Sequence, residues 1–359
     1  MTAFRNIKNV PYYMPGPGSF AGLGDLLEVR RSLGGPVFFY LDGFFQNHEL
    51  AKNLPAKAGD KVFFIDTSAE PTVEAVDALA DAAKAVGAAP CCVVGIGGGI
   101  TLDTAKAVAN LLTNPGKAEE YQGWELVKNP AIYKIGIPTI AGTGAEASRT
   151  CVLTNDRKKL KLGMNSDFTM FDQLILDPEL TRSVPRRAYF FTGIDTFMHC
   201  FESRRGSYRN VIVDALAGAA LNLCHDVFLG DKDMMDPENL EKLMVASYLG
   251  GMAAGNVGIV HPISAGLGVV LHVPHGLAGC YALSVLGEFY PEEQAQLMAM
   301  LDKQGIVLEK GLCKNLSDDQ LEALYMGSIV HEKPLINALG PDFKKILTKE
   351  KVISLFKQM

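Results

Sequence analysis

Hydrophobic and polar positions change their period near the middle of the chain. In the first half, short apolar runs alternate with segments whose apolar residues recur every three or four positions. That alternation predicts βαβ units and a mainly parallel sheet. Val37–Asp42, Lys61–Asp66, Cys91–Ile96 and Tyr133–Pro138 read as strands. Val73, Val76, Leu79, Ala80 and Ala83 keep helical spacing between Thr72 and Val86, with Thr72 as the expected N-cap. Asp156–Lys161 is a polar, basic run that reads as a solvated hairpin tip. The prolines within Asp177–Pro185 mark a boundary. It separates an α/β domain over residues 1–178 from a second domain over 179–359. Beyond it the pattern is helical: Phe190–Ser203, Val211–Val227 and Pro237–Ala254, then further helices from 283 to 359. Ser317-Asp-Asp-Gln320, just before Leu321, has the form of a capping box. The expected class is α/β, a parallel-sheet nucleotide-binding domain followed by an all-helical metal-binding domain.

Composition narrows the partners. Of 359 residues, 48% are hydrophobic and 21% charged, which suits a globular protein with two substantial cores. A formal net charge of −6 and no dense Lys/Arg run argue against nucleic acid. No apolar run is read as long enough to span a membrane. Met1–Lys8 lacks the apolar stretch of a secretory signal. Seven cysteines without a C-x-x-C pair do not form a disulfide framework, and Cys91-Cys92 reads as buried strand packing. The expected compartment is the cytoplasm.

Two stretches carry candidate chemistry. Asp195 and His199 stand four apart in a helical segment, so their side chains lie on one face and can close on one ion. A second pair comes from His261-Pro-Ile-Ser-Ala-Gly-Leu-Gly-Val-Val-Leu-His272-Val-Pro-His275-Gly276. One carboxylate with up to three imidazoles suits iron(II) or zinc better than magnesium or calcium. The other stretch is Gly97-Gly98-Gly99, between a strand and an alanine-rich helix that begins near Asp103. Backbone N–H groups there can approach a phosphate, and the helix N-terminus adds partial positive charge. Ile100 stands where a G-x-G-x-x-G fingerprint has its third glycine, so a tight turn explains the run equally well. Thr139-Ile-Ala-Gly142-Thr143-Gly144 is a second small-residue loop.

Taken together, these motifs resemble the iron-containing (group III) alcohol dehydrogenases of the dehydroquinate-synthase-like superfamily. Gly97-Gly98-Gly99-Ile-Thr-Leu-Asp103 is similar to that family's G-G-G-S-x-x-D. Pro138-Thr-Ile-Ala-Gly-Thr-Gly-Ala-Glu146 is similar to its P-T-x-A-G-T-G-S-E. Asp177-Pro-Glu-Leu-Thr181 and Thr192-Gly-Ile-Asp195-Thr-Phe-Met-His199-Cys-Phe-Glu202 match D-P-x-L-T and T-G-x-D-A-x-x-H-A-x-E, and Pro274-His275-Gly276 closes the series. The resemblance spans roughly residues 35–280. It implies metal ligands at Asp195, His199, His261 and His275. It also implies NAD(P), with Gly97, Gly98, Gly99 and Asp103 in the pyrophosphate motif and Thr139, Thr143 and Lys161 near the nicotinamide and its ribose. Asp42 falls where the family has an acid facing the adenosine ribose, which favours NAD over NADP. A homodimer is implied as well.

Three departures qualify these expectations. Ala265 stands where many members have a proton-transferring histidine, with His272 a candidate replacement. Ile100 replaces a serine and Glu70 an asparagine. Arg204, Arg205 and Arg209 follow the metal segment and are a candidate fork for an anionic substrate. With that in mind the chain is reminiscent of the branch that oxidises the 8-hydroxyl of 3-deoxy-manno-octulosonate, an acidic sugar of lipopolysaccharide biosynthesis. The expected chemistry is oxidation of a primary alcohol by hydride transfer to the nicotinamide. The rivals are a lyase or cyclase of the dehydroquinate-synthase type and a metal-binding homologue with little NAD-dependent activity.

Overall fold

A computed structural model describes residues 8–359; the N-terminal stretch read above as lacking a signal lies outside the described residues, save for Lys8. The chain divides into two compact units. The first comprises residues up to Thr139 with Ala145–Asp156 and Leu162–Leu180, and the second Ile140–Gly144, Arg157–Lys161 and Thr181–Met359.

The first unit is built on strands β1 (Tyr12–Pro15), β2 (Val37–Asp42), β3 (Lys61–Ile65), β4 (Cys92–Gly97), β6 (Lys134–Pro138) and β9 (Gln173–Leu176). They form one sheet in the order β1-β9-β6-β4-β2-β3, every neighbouring pair parallel. A small sheet of β5 (Gly123–Trp124), β8 (Leu160–Asn165) and β7 (Thr150–Asn155) flanks it in sequence. Helices α1 (Leu23–Arg31), α2 (Glu49–Lys52), α3 (Val73–Ala85) and α4 (Gly99–Leu111) supply the crossovers. Strand β2 shows why the sheet is buried on both sides. Phe38 and Tyr40 pack with residues of α3 and α4, while Val37, Phe39 and Leu41 pack with Leu23 and Leu27 of α1. A strand covered on both faces is continuously apolar, which is how this one reads. The four strands expected from sequence are present, as are α3 and its cap, where Thr72 Oγ1 accepts from Ala75 N at 3.1 Å.

Strands β1 and β9 carry no sequence expectation, because both are four-residue pieces at or near the sheet edge. Their attachment explains the Asp-Pro motif instead. The Asp177 carboxylate, one residue past β9, accepts from Gly18 N at 3.1 Å and Phe20 N at 3.0 Å. It therefore ties down the turn that follows β1.

The second unit is helical: α5 (Arg186–Arg205), α6 (Val211–Leu229), α7 (Pro237–Ala253), α8 (Val260–Leu271), α9 (His275–Val285), α10 (Pro291–Lys303), α11 (Asp318–Ile329), α12 (Glu332–Leu339), α13 (Phe343–Ile346) and α14 (Lys349–Phe356). The capping box at Ser317 is formed, with Gln320 N donating to Ser317 Oγ at 3.2 Å and Gln320 Oε1 accepting from Ser317 N at 3.1 Å. Helix α5 is almost wholly buried, packed against α6, α7 and α9. One expectation is corrected here. Helix α6, at 19 residues, is long and apolar enough to cross a membrane by length and composition. Its apolar character has a packing reason, since Val213, Ala217, Ala220, Cys224, Val227 and Phe228 are buried within this unit.

A candidate metal centre and a nucleotide loop

Helix α5 presents Asp195, His199 and Glu202 at i, i+4 and i+7, one face of the helix, and all three are buried. Helix α8 brings His261 in its first turn, and His275 is the first residue of α9. The approach of α9 depends on Gly276: a Cβ there would lie 1.9 Å from the carbonyl oxygen of Phe191 in α5. The result is one carboxylate facing three imidazoles. His261 Nε2 lies 3.5 Å from Asp195 Oδ1, His199 Nε2 3.8 Å from the same oxygen, and His275 Nε2 3.6 Å from Oδ2. The rings of His199 and His261 stack with centroids 4.6 Å apart.

These separations are too long for hydrogen bonds. Both Asp195 oxygens, His261 Nε2 and His199 Nδ1 are buried without a hydrogen-bond partner. Unsatisfied buried groups of this kind are costly, and a cation between the Asp195 oxygens and His261 Nε2 removes the cost for those three atoms. Ligands at about 2.0–2.2 Å from one tetrahedral centre stand about 3.3–3.6 Å apart, close to the separations here. The residues therefore fit a metal ion, and an oxygen–nitrogen set of this composition suits iron(II) or zinc. His275, with 31% of its side chain exposed, is the open side of the cluster, whereas Asp195 is 2% exposed.

Glu202 has a role the sequence reading did not assign. Its Oε2 accepts from His261 Nδ1 at 2.5 Å, and its Oε1 from Val260 N at 2.7 Å and Tyr290 Oη at 3.3 Å. A proton on Nδ1 leaves the Nε2 lone pair directed at Asp195 and fixes the tautomer a metal requires. The signal was available, because Glu202 continues the i, i+4, i+7 face. Tyr290 had none, being 88 residues away in sequence.

Electrostatics follow from this packing. Burial opposes charge on Asp195, yet the surrounding imidazoles outweigh it and hold the carboxyl far below its ordinary range. Burial and the neighbouring histidines push His199 down to about 4. For His261 burial also disfavours the cation, but Asp195 and Glu202 together raise it to about 9.

The expected nucleotide residues gather at the carboxyl ends of the central strands, where open α/β sheets bind ligands. Gly97 ends β4, Gly98 is the N-cap of α4 and Gly99 its first residue. Asp42 ends β2 beside Gly97, and its Oδ1 accepts from Phe44 N at 3.0 Å and Thr67 Oγ1 at 2.9 Å. Thr139 N donates to Gly97 O at 3.1 Å. Thr143 lies in the following loop, which is held from below. Gly142 N and Gly144 N both donate to Ser247 Oγ, at 2.9 and 3.2 Å, and Gly142 O accepts from Thr196 Oγ1 at 2.8 Å. Only glycine fits at 142, where φ is +143° and a Cβ would lie 1.9 Å from Thr192 O. The loop thus rests on α5 one residue from Asp195. The hairpin tip expected over Asp156–Lys161 is shorter in the structure: the turn covers 156–159, and Lys161 lies in β8.

Five expected residues are placed differently. Asp103 turns inward: it pairs with fully buried Lys106 at 3.0 Å and accepts from Val152 N at 2.9 Å, and burial pushes its carboxyl up. The three arginines do not form a fork. Arg205 pairs with Glu293 and Glu292, Arg209 pairs with Asp214 at 2.7 Å, and all three arginines are exposed. Arg204, nine residues after Asp195, lies about half a turn round the helix from it. His272 is exposed and closes α8 as its C-cap with φ +53°.

Residues 11–178 match the family profile described as "Iron-containing alcohol dehydrogenase", and residues 189–325 match "Fe-containing alcohol dehydrogenase family, C-terminal". The chain is 38% identical over 258 residues to the sulfoacetaldehyde reductase of Bilophila wadsworthia, a match covering 70% of this chain and 66% of that protein, just under two thirds of its length. It is 30% identical over 290 residues to the probable alcohol dehydrogenase EutG of Escherichia coli, covering 78% of this chain and 71% of EutG. Its fold is similar to that of a sulfoacetaldehyde reductase from Bifidobacterium kashiwanohense, solved in complex with NAD+, with a TM-score of 0.80 and 23% identity over 99% of this chain and 98% of that one.

Two outcomes are expected. Glu202→Gln should weaken metal binding by about 10- to 100-fold with the fold intact, measured by competition with a chromogenic chelator. In metal-free protein, the His261 contribution to stability is complete below its unfolded value of 6.5 and is lost as pH rises through about 9. His199 acts in the opposite sense: its folded value of about 4 makes it cost stability as pH falls below 6.5. Thermal unfolding of metal-free wild type against His261→Gln should therefore show the wild-type advantage fading above neutral pH.

Proposed function

The chain belongs to the iron-containing alcohol dehydrogenase family, and we propose that it interconverts a primary alcohol and its aldehyde by metal-assisted hydride transfer with NAD. The observation that carries this reading is the buried Asp195 carboxylate, whose oxygens face three imidazoles and no hydrogen-bond donor. Asp195, His199, His261 and His275 would hold iron(II), which when bound would supply Lewis acidity toward a substrate hydroxyl. NAD supplies the hydride acceptor, and the NAD+ complex of the Bifidobacterium kashiwanohense reductase supports that choice.

The chain's own residues do the rest. Asp195 neutralises charge from a buried position, and Glu202 keeps His261 in the tautomer that ligates. The open side beside His275 admits the alcohol. Gly98 and Gly99 hold the pyrophosphate at the α4 N-terminus, where backbone N–H groups and the helix dipole favour an anion. Asp42 accepts from the adenosine ribose, and Thr139, Thr143 and Lys161 position the nicotinamide end.

The substrate class we favour is a primary alcohol or aldehyde that also carries an anionic group. Support comes from the Bilophila wadsworthia protein, whose named substrate bears a sulfonate beside the aldehyde. A sugar acid such as 3-deoxy-manno-octulosonate, reacting at its 8-hydroxyl, satisfies the same description. The cytoplasm suits the seven free cysteines, and a homodimer is the assembly we propose.

The deciding experiment loads purified protein with iron(II) and follows NADH during turnover of sulfoacetaldehyde, sugar acids and simple alcohols. Anionic substrates should exceed neutral ones of equal size by about tenfold or more in kcat/KM, the scale of one charge-assisted contact. His275→Ala should lose both metal and turnover; full activity in protein without metal would sink the proposal. Asp42→Ser should raise the NADP-to-NAD preference by about tenfold, since the carboxylate repels a 2′-phosphate.

A further inference from the structure

The proposed reaction releases a proton as well as a hydride, and the ligand set has no group to spare for it. Asp195, His199, His261 and His275 face one another, and Glu202 is bonded to His261, Val260 and Tyr290. One turn beyond His261 on the same face of α8 stands Ala265, which is apolar and buried. His272 lies exposed at the far end of that helix.

The remaining imidazole near the cluster comes from another element. Gly327 of α11 lies against Gly266 of α8, where a Cβ would be 3.4 Å from the Gly266 Cα. Farther on, Asn337 Nδ2 in α12 donates to Val257 O at 3.1 Å. Numbers rising from 327 to 337 therefore run beside numbers falling from 266 to 257. His331, the N-cap of α12, lies in the chain between these two contacts, and α12 packs against α8, whose first turn carries His261. His331 is partly exposed, and among the described residues its hydrogen bonds are made by its backbone, to Ser328 O and from Leu335 N.

The charges around this ring are defined. Lys161 and His261 both act on it, while the neighbouring Glu332 is paired with Lys344 at 2.7 Å. Burial, aided by the nearby Lys161 ammonium, pushes His331 down to about 4, so the ring is neutral near pH 7.

We propose that His331 is the proton-transfer residue of this site, taking the hydroxyl proton of the alcohol directly or through one water. This rests on the dehydrogenase reading above. During oxidation the carbinol C–H bond breaks and its electron pair leaves with hydrogen for NAD. The O–H bond breaks, its proton passes to a ring nitrogen of His331, and from the exposed edge of that ring to solvent. Reduction of an aldehyde runs the same path backwards.

The test uses full-length, iron-loaded His331→Gln and His331→Ala, with His272→Gln as the competing variant. We expect kcat to fall about 100-fold in both His331 variants, the scale of general base catalysis, with iron content and NAD affinity unchanged. The acid limb of the kcat/KM profile should disappear, and added imidazole should restore part of the rate to His331→Ala. Three results would overturn the assignment: a kcat within threefold of wild type, an unaltered pH profile, or a loss carried by His272→Gln instead. Wild-type protein inactive with every alcohol and aldehyde would refute the dehydrogenase reading itself, whereas these results in an active enzyme refute only the role of His331.

Discussion

A carboxylate with no donor around it is among the most expensive things a protein can bury. Asp195 sits 2% exposed in the middle of α5, and neither oxygen is hydrogen-bonded. Left alone it would protonate or unfold the helix, because desolvating a charge costs several kcal/mol even after relaxation. Three imidazoles at 3.5 to 3.8 Å do not satisfy it by hydrogen bonding, but together with it they define a cation site. Binding energy released by a cation there would also be folding energy for the helical unit, since α5, α8 and α9 each carry a proposed ligand.

Much of the surrounding construction exists to bring backbones close enough for this. Gly276 lets the first turn of α9 press on the Phe191 carbonyl and so delivers His275. Gly142 lets the loop after β6 rest on Thr192, with Thr196 and Ser247 supplying its hydrogen bonds. The loop expected near the nicotinamide is therefore seated on the helix that carries two of the proposed metal ligands. A side chain at either glycine would displace that support by more than an ångström, enough to matter for hydride transfer. Beneath the glycine turn, Lys106 and Asp103 form a buried pair that also gathers Ala145 O and Val152 N, so Asp103 serves the packing of α4 rather than the phosphate.

Charge follows the same economy. Arg204 and Arg205 end α5 and Arg209 follows it, all exposed, and Glu292, Glu293 and Asp214 engage two of the three in surface pairs worth little. The charged group bonded to the cluster from outside the candidate ligand set is instead Glu202, on the buried face of α5, with Tyr290 of the segment before α10 behind it.

The sequence by itself determined whatever is periodic or local. The continuous apolar runs of β2, β4 and β6 announced a sheet covered on both faces, Thr72 and Ser317 announced their helix caps, and Asp195 with His199 announced a shared helix face. These depend on neighbours within a turn or a strand, which a linear pattern records. Tertiary structure alone decided the remainder. It added β1 and β9, too short to show a period, and turned Asp103 inward onto Lys106. It made Glu202 the partner of His261, with Tyr290 behind it. Such contacts join residues whose spacing in the chain carries no trace of their meeting, because helix packing, not sequence separation, sets the distance between them.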